Sequence, residues 1–441
     1  MRVDDSRKIG FWTCTALVVG NVIGMGIFLL PASLAPFGLN ALIGWGITLL
    51  GCVALAQVLA RLARALPEAD GPYGYIRHGL GELPAYMTTW SYWLSVWLTN
   101  AALATGVVGY LGVVFPPLAT LPPAVLALLL QWTLVAVNLS GVRASGGVQI
   151  ATTALKLLPM LAIALLGGWV LLTTPASYVA HPPATPIGLG AVTTASTIAL
   201  FAMIGFESAS LPAARVADPG RTIPRATMIG TVLVALIYLV VCAVPLLLIP
   251  QAELATSSAP LSLLVEHYGH AGAGRWLALF VAVSGLGALN GWTLLAGEIT
   301  RTMAVNGVLP AVLAQRNRQG TPVIALLLTG ALASAMIAMS YSASLVSAFT
   351  LITLMSTAAS LPLYLGCALA LWVLARRRAV GARSGAALAV ATVGLLYGAF
   401  AIVGIGGKNF VYALALIAAG LPLYAFMRLR RRPLAAKLPT P

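Results

Sequence analysis

The sequence predicts an all-α membrane protein of twelve transmembrane helices, and three observations carry that reading. Apolar runs of span length recur from residue 9 to residue 428. Basic residues fall almost entirely in alternate connections between those runs. Of 441 residues, 60% are hydrophobic and 8% charged, more apolar surface than a soluble domain of this size needs. A helix needs about 20 predominantly apolar residues to cross hydrocarbon, and each run supplies roughly that number.

In order, the runs are 9–34, 39–65, 84–114, 122–140, 145–173, 188–214, 225–249, 272–302, 322–340, 344–375, 385–405 and 408–427. The first reads as a span and not as a cleaved leader, because it continues through Phe28 to Pro31 without a small-residue cleavage motif. Between runs the chain is too short for a soluble domain, so residues 1–441 read as one transmembrane domain. The longest external connections, 174–187 and 250–271, are rich in Pro, Ala and Ser. Within the second, residues 259–267 are amphipathic and are expected to form a short helix capping the outside.

The formal charge of +15 raises the question of nucleic acid, and its placement answers against it. Under twelve spans, 22 of the 25 Lys and Arg residues share one side, from Arg2, Arg7 and Lys8 through Arg143 and Arg215 to Arg383 and Lys437. Arg275 and Lys408 fall opposite, and Lys156 lies inside a span. This is the positive-inside bias, with both termini cytoplasmic. The basic run Arg428–Arg432 is expected to anchor the last helix on anionic lipid headgroups. Cys14, Cys52, Cys242 and Cys367 stand singly in apolar helices and read as small core residues. His181, His267 and His270 lie in external connections, without the Asp or Cys neighbours that a metal site would want.

Two spans are interrupted near their middle, at Gly20-Asn21-Val22-Ile23-Gly24-Met25-Gly26 and at Ala202-Met203-Ile204-Gly205-Phe206-Glu207. A break inside hydrocarbon leaves backbone groups without helical partners, and it survives only where it lines a cavity or is buried in protein. Paired breaks about one half-chain apart are the sequence mark of a transporter's substrate site. The chain is therefore expected to carry small polar solutes. Freed N–H groups at Gly24-Met25-Gly26 suit a carboxylate, helped by the positive helix end. Unwound carbonyls around Phe201 to Ile204 suit an ammonium, and small residues let the solute approach the backbone. The same glycines would also serve plain helix packing.

Gly20-Asn-Val-Ile-Gly-Met-Gly-Ile-Phe-Leu-Leu-Pro31, Gly205-Phe-Glu-Ser-Ala-Ser210, Asp218-Pro-Gly-Arg-Thr-Ile-Pro-Arg-Ala226 and Gly291-Trp-Thr-Leu-Leu-Ala-Gly297 resemble the amino acid–polyamine–organocation transporter superfamily. Asn306-Gly-Val-Leu-Pro310 followed by Gly320-Thr-Pro322 extends the likeness, which runs from about residue 8 to 428. Within that superfamily the chain is similar to the bacterial basic amino acid/polyamine antiporters, most of all their arginine/agmatine branch. The resemblance implies a leucine-transporter-like fold with a 5+5 inverted repeat. Residues 9–173 and 188–375 would be the repeats, with broken helices 1 and 6 meeting at the midplane and 385–427 two accessory helices. It also implies the bacterial inner membrane, an amino acid or amine as substrate, no cofactor and no sodium, with a homodimer through the accessory helices permitted.

The resemblance further assigns residues to the site. Asn21, Gly24, Met25 and Gly26 come from span 1, Phe201, Ile204 and Gly205 from span 6. Trp292 would be the aromatic wall for a cationic side chain. Val96 and Asn100 come from span 3, where the Asn100 oxygen could accept from a cation, and Ser356 from span 10. Phe201 stands where the arginine/agmatine branch has a gating Trp, and Met25 and Val96 replace more polar residues, so the pocket is greasier. Tyr92, Lys156 and Glu207 are the gating or proton-coupling groups. Lys156 and Glu207 are ionisable residues inside spans, functional candidates on that ground alone. Lys156 departs from the arginine/agmatine branch; a lysine losing its proton on desolvation could couple transport to protons. A fixed ammonium also disfavours a second cation, which gives weight to proton-coupled carriage of neutral amino acids as the alternative. An intramembrane enzyme would need a nucleophile–base pair or metal ligands in the spans, and a channel would need polar rings. The sequence offers neither.

Overall fold

The computed structural model describes residues 10–435 apart from 70, 141–145, 208–215, 217, 271, 341 and 379–383. In chain order the helices are α1 (Phe11–Val22), α2 (Gly26–Leu34), α3 (Leu39–Ala65), α4 (Gly71–Leu80), α5 (Glu82–Val114) and α6 (Pro123–Leu139). There follow α7 (Gly146–Thr173), α8 (Leu189–Met203), α9 (Pro219–Leu248), α10 (Gln251–Thr256), α11 (Pro260–Tyr268) and α12 (Ala273–Val305). The chain continues through α13 (Val323–Met339), α14 (Leu345–Arg376), α15 (Ser384–Gly404), α16 (Gly407–Ala418) and α17 (Gly420–Ala435).

Among the described residues eight helical segments are long and apolar enough to cross a membrane, with α16 and α17 counted together over Gly407–Leu429. The pair α1 and α2 makes a ninth, bent by 44° at its break, and α6, α8 and α13 are shorter apolar helices. The apolar runs read from the sequence are thus helical, with the last residues of 188–214 lying outside the described ones, as do Arg2, Arg7, Lys8, Arg143, Arg215, Arg383 and Lys437. The amphipathic stretch 259–267 is helix α11, and it is preceded by the short α10.

Burial separates central helices from peripheral ones. The most apolar window of α5 is 83% buried and that of α14 72%, against 11% for Gly407–Leu429. Two helices packed on all sides by protein need internal partners for their polar groups, and they have them. Ser91 donates to the Ala359 carbonyl at 2.6 Å, and the Thr99 and Ser356 hydroxyls lie 2.9 Å apart, so α5 and α14 are stitched by hydroxyls. Trp93 Nε1 donates to Thr300 Oγ1 at 2.7 Å, which ties α5 to α12. On the other flank α3 packs on α8 and α9. Gly44 brings α3 so close to α8 that a Cβ there would lie 2.8 Å from the Ser196 nitrogen. Small residues at the contact are how membrane helices gain dispersion energy without a hydrophobic driving force. All four cysteines are buried in this packing.

The connecting helices close the two ends. Tyr110 Oη donates to the Phe28 carbonyl at 2.5 Å and accepts from the Leu261 N–H at 3.5 Å, joining α5, α2 and α11. At the other end α4 lies against α14 and α5. There Glu298 on α12 pairs with Arg301 at 3.2 Å and with Arg316 of the following loop at 3.0 Å.

Candidate substrate site

The first break begins where α1 ends. Ile23 is extended (φ −72°, ψ 90°) and turns its N–H back to the Val19 carbonyl at 3.0 Å; α2 resumes only at Gly26. In an unbroken helix the Gly20 carbonyl would accept from the Gly24 N–H. Beyond the break, Lys156 of α7 takes that role: its Nζ donates to the Gly20 carbonyl at 3.2 Å, and the side chain is buried. A cation at a helix C-terminus is favoured by the helix dipole as well as by the hydrogen bond. A second freed carbonyl, that of Val22, accepts from Tyr238 of α9 at 2.9 Å.

The second break follows α8. Ile204 leaves helical geometry (φ −59°, ψ 131°) and its N–H bonds the Phe201 carbonyl at 3.2 Å. Gly205 then takes φ +115°, a conformation other residues rarely adopt. Its N–H donates to Glu207 Oε2 at 3.1 Å. The same carboxylate, fully buried, accepts from the Tyr92 hydroxyl of α5 at 2.5 Å and from the Tyr364 hydroxyl of α14 at 2.9 Å. Phe206 stacks on the Tyr364 ring at 4.9 Å. Glu207 therefore joins a broken helix to both central helices. Tyr364 was invisible in the sequence, where it is one tyrosine in an apolar run.

The two breaks meet. A Cβ on Gly205 would lie 3.1 Å from the Asn21 carbonyl oxygen and 3.3 Å from the Val22 nitrogen, so backbone rests on backbone there. Beside this contact is a small cavity, of about 20 Å³, lined by Asn21, Gly24, Gly26, Phe201, Ile204 and Trp292 among others. Six of the expected site residues thus share one wall. Val22, Ile27, Thr99, Leu103 and Ala202 complete it and were not foreseen. Helical spacing could have found Thr99 and Leu103, because they sit three residues after Val96 and Asn100 on α5.

Other expected residues stand behind that wall. Met25 is buried and its side chain fills the notches left by Gly106 of α5 and Gly285 of α12. Val96 is buried in α5 away from the lining. Ser356 spends its hydroxyl on Thr99 and on the Ser95 carbonyl at 3.1 Å. Gly205 contributes the close approach and not the lining. Asn100 donates to the Trp292 carbonyl at 3.5 Å, while its amide oxygen is buried without a partner. A buried acceptor left without a partner is costly. Phe201 covers Gly26, whose added Cβ would sit 2.8 Å from the ring, and meets Phe349 edge-on at 6.1 Å.

Among the described residues no carboxylate or ammonium side chain lines the cavity. Polarity there comes from the main chain at two helix breaks, from Asn21 and Thr99, and from the Trp292 face. Such a lining can recognise the head of a zwitterion through backbone groups and rest an apolar or cationic tail on the indole.

Comparison with known proteins fits that geometry. The amino acid permease family model matches residues 9–426. The arginine/ornithine antiporter of Pseudomonas aeruginosa is 29% identical over 75% of this chain and 70% of its own. A putrescine transporter of Haemophilus influenzae is 27% identical over 96% of this chain and 97% of its own. The cadaverine/lysine antiporter of Escherichia coli is 30% identical over 74% of this chain and 73% of its own.

Proposed function

We propose, because the chain belongs to the amino acid permease family, that it is a membrane antiporter exchanging a basic amino acid for its amine or for another amino acid. It is a transporter and not an enzyme. The relatives' printed substrates, arginine and ornithine, lysine and cadaverine, and putrescine, support the basic class. The observation that carries the reading is the juxtaposition of the two breaks, with the Gly205 backbone against Asn21 and the cavity beside them. In the proposed cycle the carboxylate of the substrate meets freed N–H groups near Gly24 and Gly26. Its ammonium meets carbonyls at the end of α8, and its side chain lies on Trp292 toward Asn100. Twelve spans, with both termini cytoplasmic and with repeats 9–173 and 188–375 followed by accessory helices 385–427, are part of the proposal. So is alternating access, in which α1, α2, α3, α8 and α9 rock against α5, α6, α12 and α13. Arginine/agmatine exchange is the finest version of it.

Neutral amino acids are the second reading, favoured by two observations. Lys156 already places an ammonium on the Gly20 carbonyl near the end of α1, and Val22, Ile27, Leu103, Ile204 and Phe201 make the wall apolar. Counterflow in liposomes separates the two. Labelled arginine uptake driven by internal arginine, agmatine, lysine or putrescine supports the first. Uptake driven by alanine or leucine, with all four basic solutes silent, rejects it.

A further inference from the structure

At the end of the bundle where α5 begins and α12 and α17 end lies a second cavity, of about 220 Å³, larger than the central one. Glu82, Tyr86, Gly307, Val308, Tyr424, Met427 and Arg428 line it. None of these residues belongs to the transport site. The walls are built. The Tyr86 and Tyr424 rings pack with centroids 4.8 Å apart, inclined by 57°. Glu82 is held in place from α4, accepting from the Tyr73 hydroxyl at 2.8 Å and facing Arg77 at 3.8 Å. Burial, and after it the hydrogen bond to Glu82, raises the Tyr73 phenol above its ordinary range, so it stays a donor.

Two features point to an occupant. The Tyr86 side chain is only 4% exposed, and its hydroxyl is buried in the pocket wall with no hydrogen-bond partner. Arg428 is exposed at the rim and forms no ion pair with any described residue. The pocket thus offers an unpaired guanidinium and a phenol to an anion, and a carboxylate with free lone pairs, flanked by two aromatic faces, to a cation. Both charges must come on one ligand, because a lone anion would meet Glu82 and a lone cation Arg428. Beside the pocket α17 presents exposed Leu421, Phe426 and Leu429, a surface for hydrocarbon chains.

We infer that this cavity binds the headgroup of a zwitterionic, primary-amine phospholipid, its phosphate on Arg428 and Tyr86 and its ammonium on Glu82. The site is independent of which solute the central cavity carries. A free amino acid has the same paired charges and lacks the acyl chains, so the test must separate the two sources.

The full chain, delipidated in detergent, is titrated with phosphatidylethanolamine, phosphatidylcholine and phosphatidylglycerol and followed by native mass spectrometry and melting temperature. Phosphatidylethanolamine is expected to bind tightest, because choline has no N–H for Glu82 and glycerol brings no cation. Tyr86→Phe and Arg428→Gln should each weaken its binding about three- to tenfold, the worth of one hydrogen bond. Glu82→Gln should erase the preference over phosphatidylcholine. Without lipid, Tyr86→Phe should melt at or slightly above the wild type, since it deletes an unpaired hydroxyl. A lower melting temperature there would show that the hydroxyl already has a partner and overturns the inference. Equal lipid binding by the wild type and Tyr86→Phe, or a preference for phosphatidylglycerol, also overturns it. Displacement of the lipid by millimolar arginine in the wild type, and not in Tyr86→Phe, would reassign the pocket to a free amino acid.

Discussion

Replacing Gly205 by Ala tests the contact on which the transport site rests. Two costs add. At φ +115° an L-residue is strained, by about 1–3 kcal/mol. The new methyl would also lie 3.1 Å from the Asn21 carbonyl oxygen, 3.2 Å from its carbon and 3.3 Å from the Val22 nitrogen, all of them backbone. Main chain held by Lys156 and Tyr238 cannot swing aside as a side-chain tip can, so the breaks must separate. Two other glycines act as graded controls. At Gly26 the added Cβ meets the Phe201 ring at 2.8 Å, a side chain with some room to turn, and at Gly24 the nearest atom is Leu103 Cδ2 at an ordinary 3.5 Å. Melting temperature in detergent should therefore fall most for Gly205→Ala, less for Gly26→Ala and least for Gly24→Ala. A loss of about 2–4 kcal/mol at Gly205 corresponds to several degrees in a chain of this size. Exchange in proteoliposomes should be abolished by Gly205→Ala. Wild-type exchange and melting for that variant, or equal damage at all three positions, would refute the reasoning.

Three further outcomes follow from single side chains. Glu207→Gln keeps the shape but lacks an acceptor for one of the three donors converging there, so it should fold, lose about 1.5–3 kcal/mol by thermal melting and stop exchanging. Lys156→Met should leave the Gly20 carbonyl bare, lowering stability by about 1–3 kcal/mol, and transport by the native chain should be unchanged when potassium replaces sodium. Trp292→Leu should raise the KM for arginine about fivefold or more, with little change in melting, if a cationic tail rests on the indole; an unaltered KM removes Trp292 from the substrate wall.

Much of this was legible in the sequence because the bilayer imposes rules that act locally. Apolar runs mark helices, and glycine clusters inside them mark the breaks. The first break fell where it was read, at Ile23 to Met25, and α8 ends at Met203 where the second was expected, with residues 208–215 beyond it lying outside the described ones. Residues beside a break could be placed too, which is why Asn21, Gly24, Gly26, Phe201 and Ile204 share the cavity wall. What failed was depth along a buried helix. Val96, Thr99, Asn100 and Leu103 share one face of α5 by their spacing, yet Thr99 and Leu103 line the cavity and Val96 and Asn100 do not. Met25 was misjudged for a related reason: the notches that receive it belong to Gly106 and Gly285, and sequence cannot show which glycines face one another across helices.

The buried charges make sense as parts of the breaks and not as isolated functional groups. A helix interrupted in an apolar interior exposes carbonyls on one side of the gap and N–H groups on the other, and each needs a partner. Here the carbonyl end of α1 receives a cation, Lys156, and the N–H of Gly205 receives an anion, Glu207. A swap of the two charges would leave every one of these bonds without its donor or acceptor. The complementarity explains why a chain with 8% charged residues keeps an acid and a base inside its spans. It also links structure to movement. Lys156 arrives from α7, while Glu207 is held by Tyr92 of α5 and Tyr364 of α14, so displacement of the segment after α8 relative to α5 and α14 must stretch the Glu207 bonds, and displacement of α1 relative to α7 the Lys156 bond.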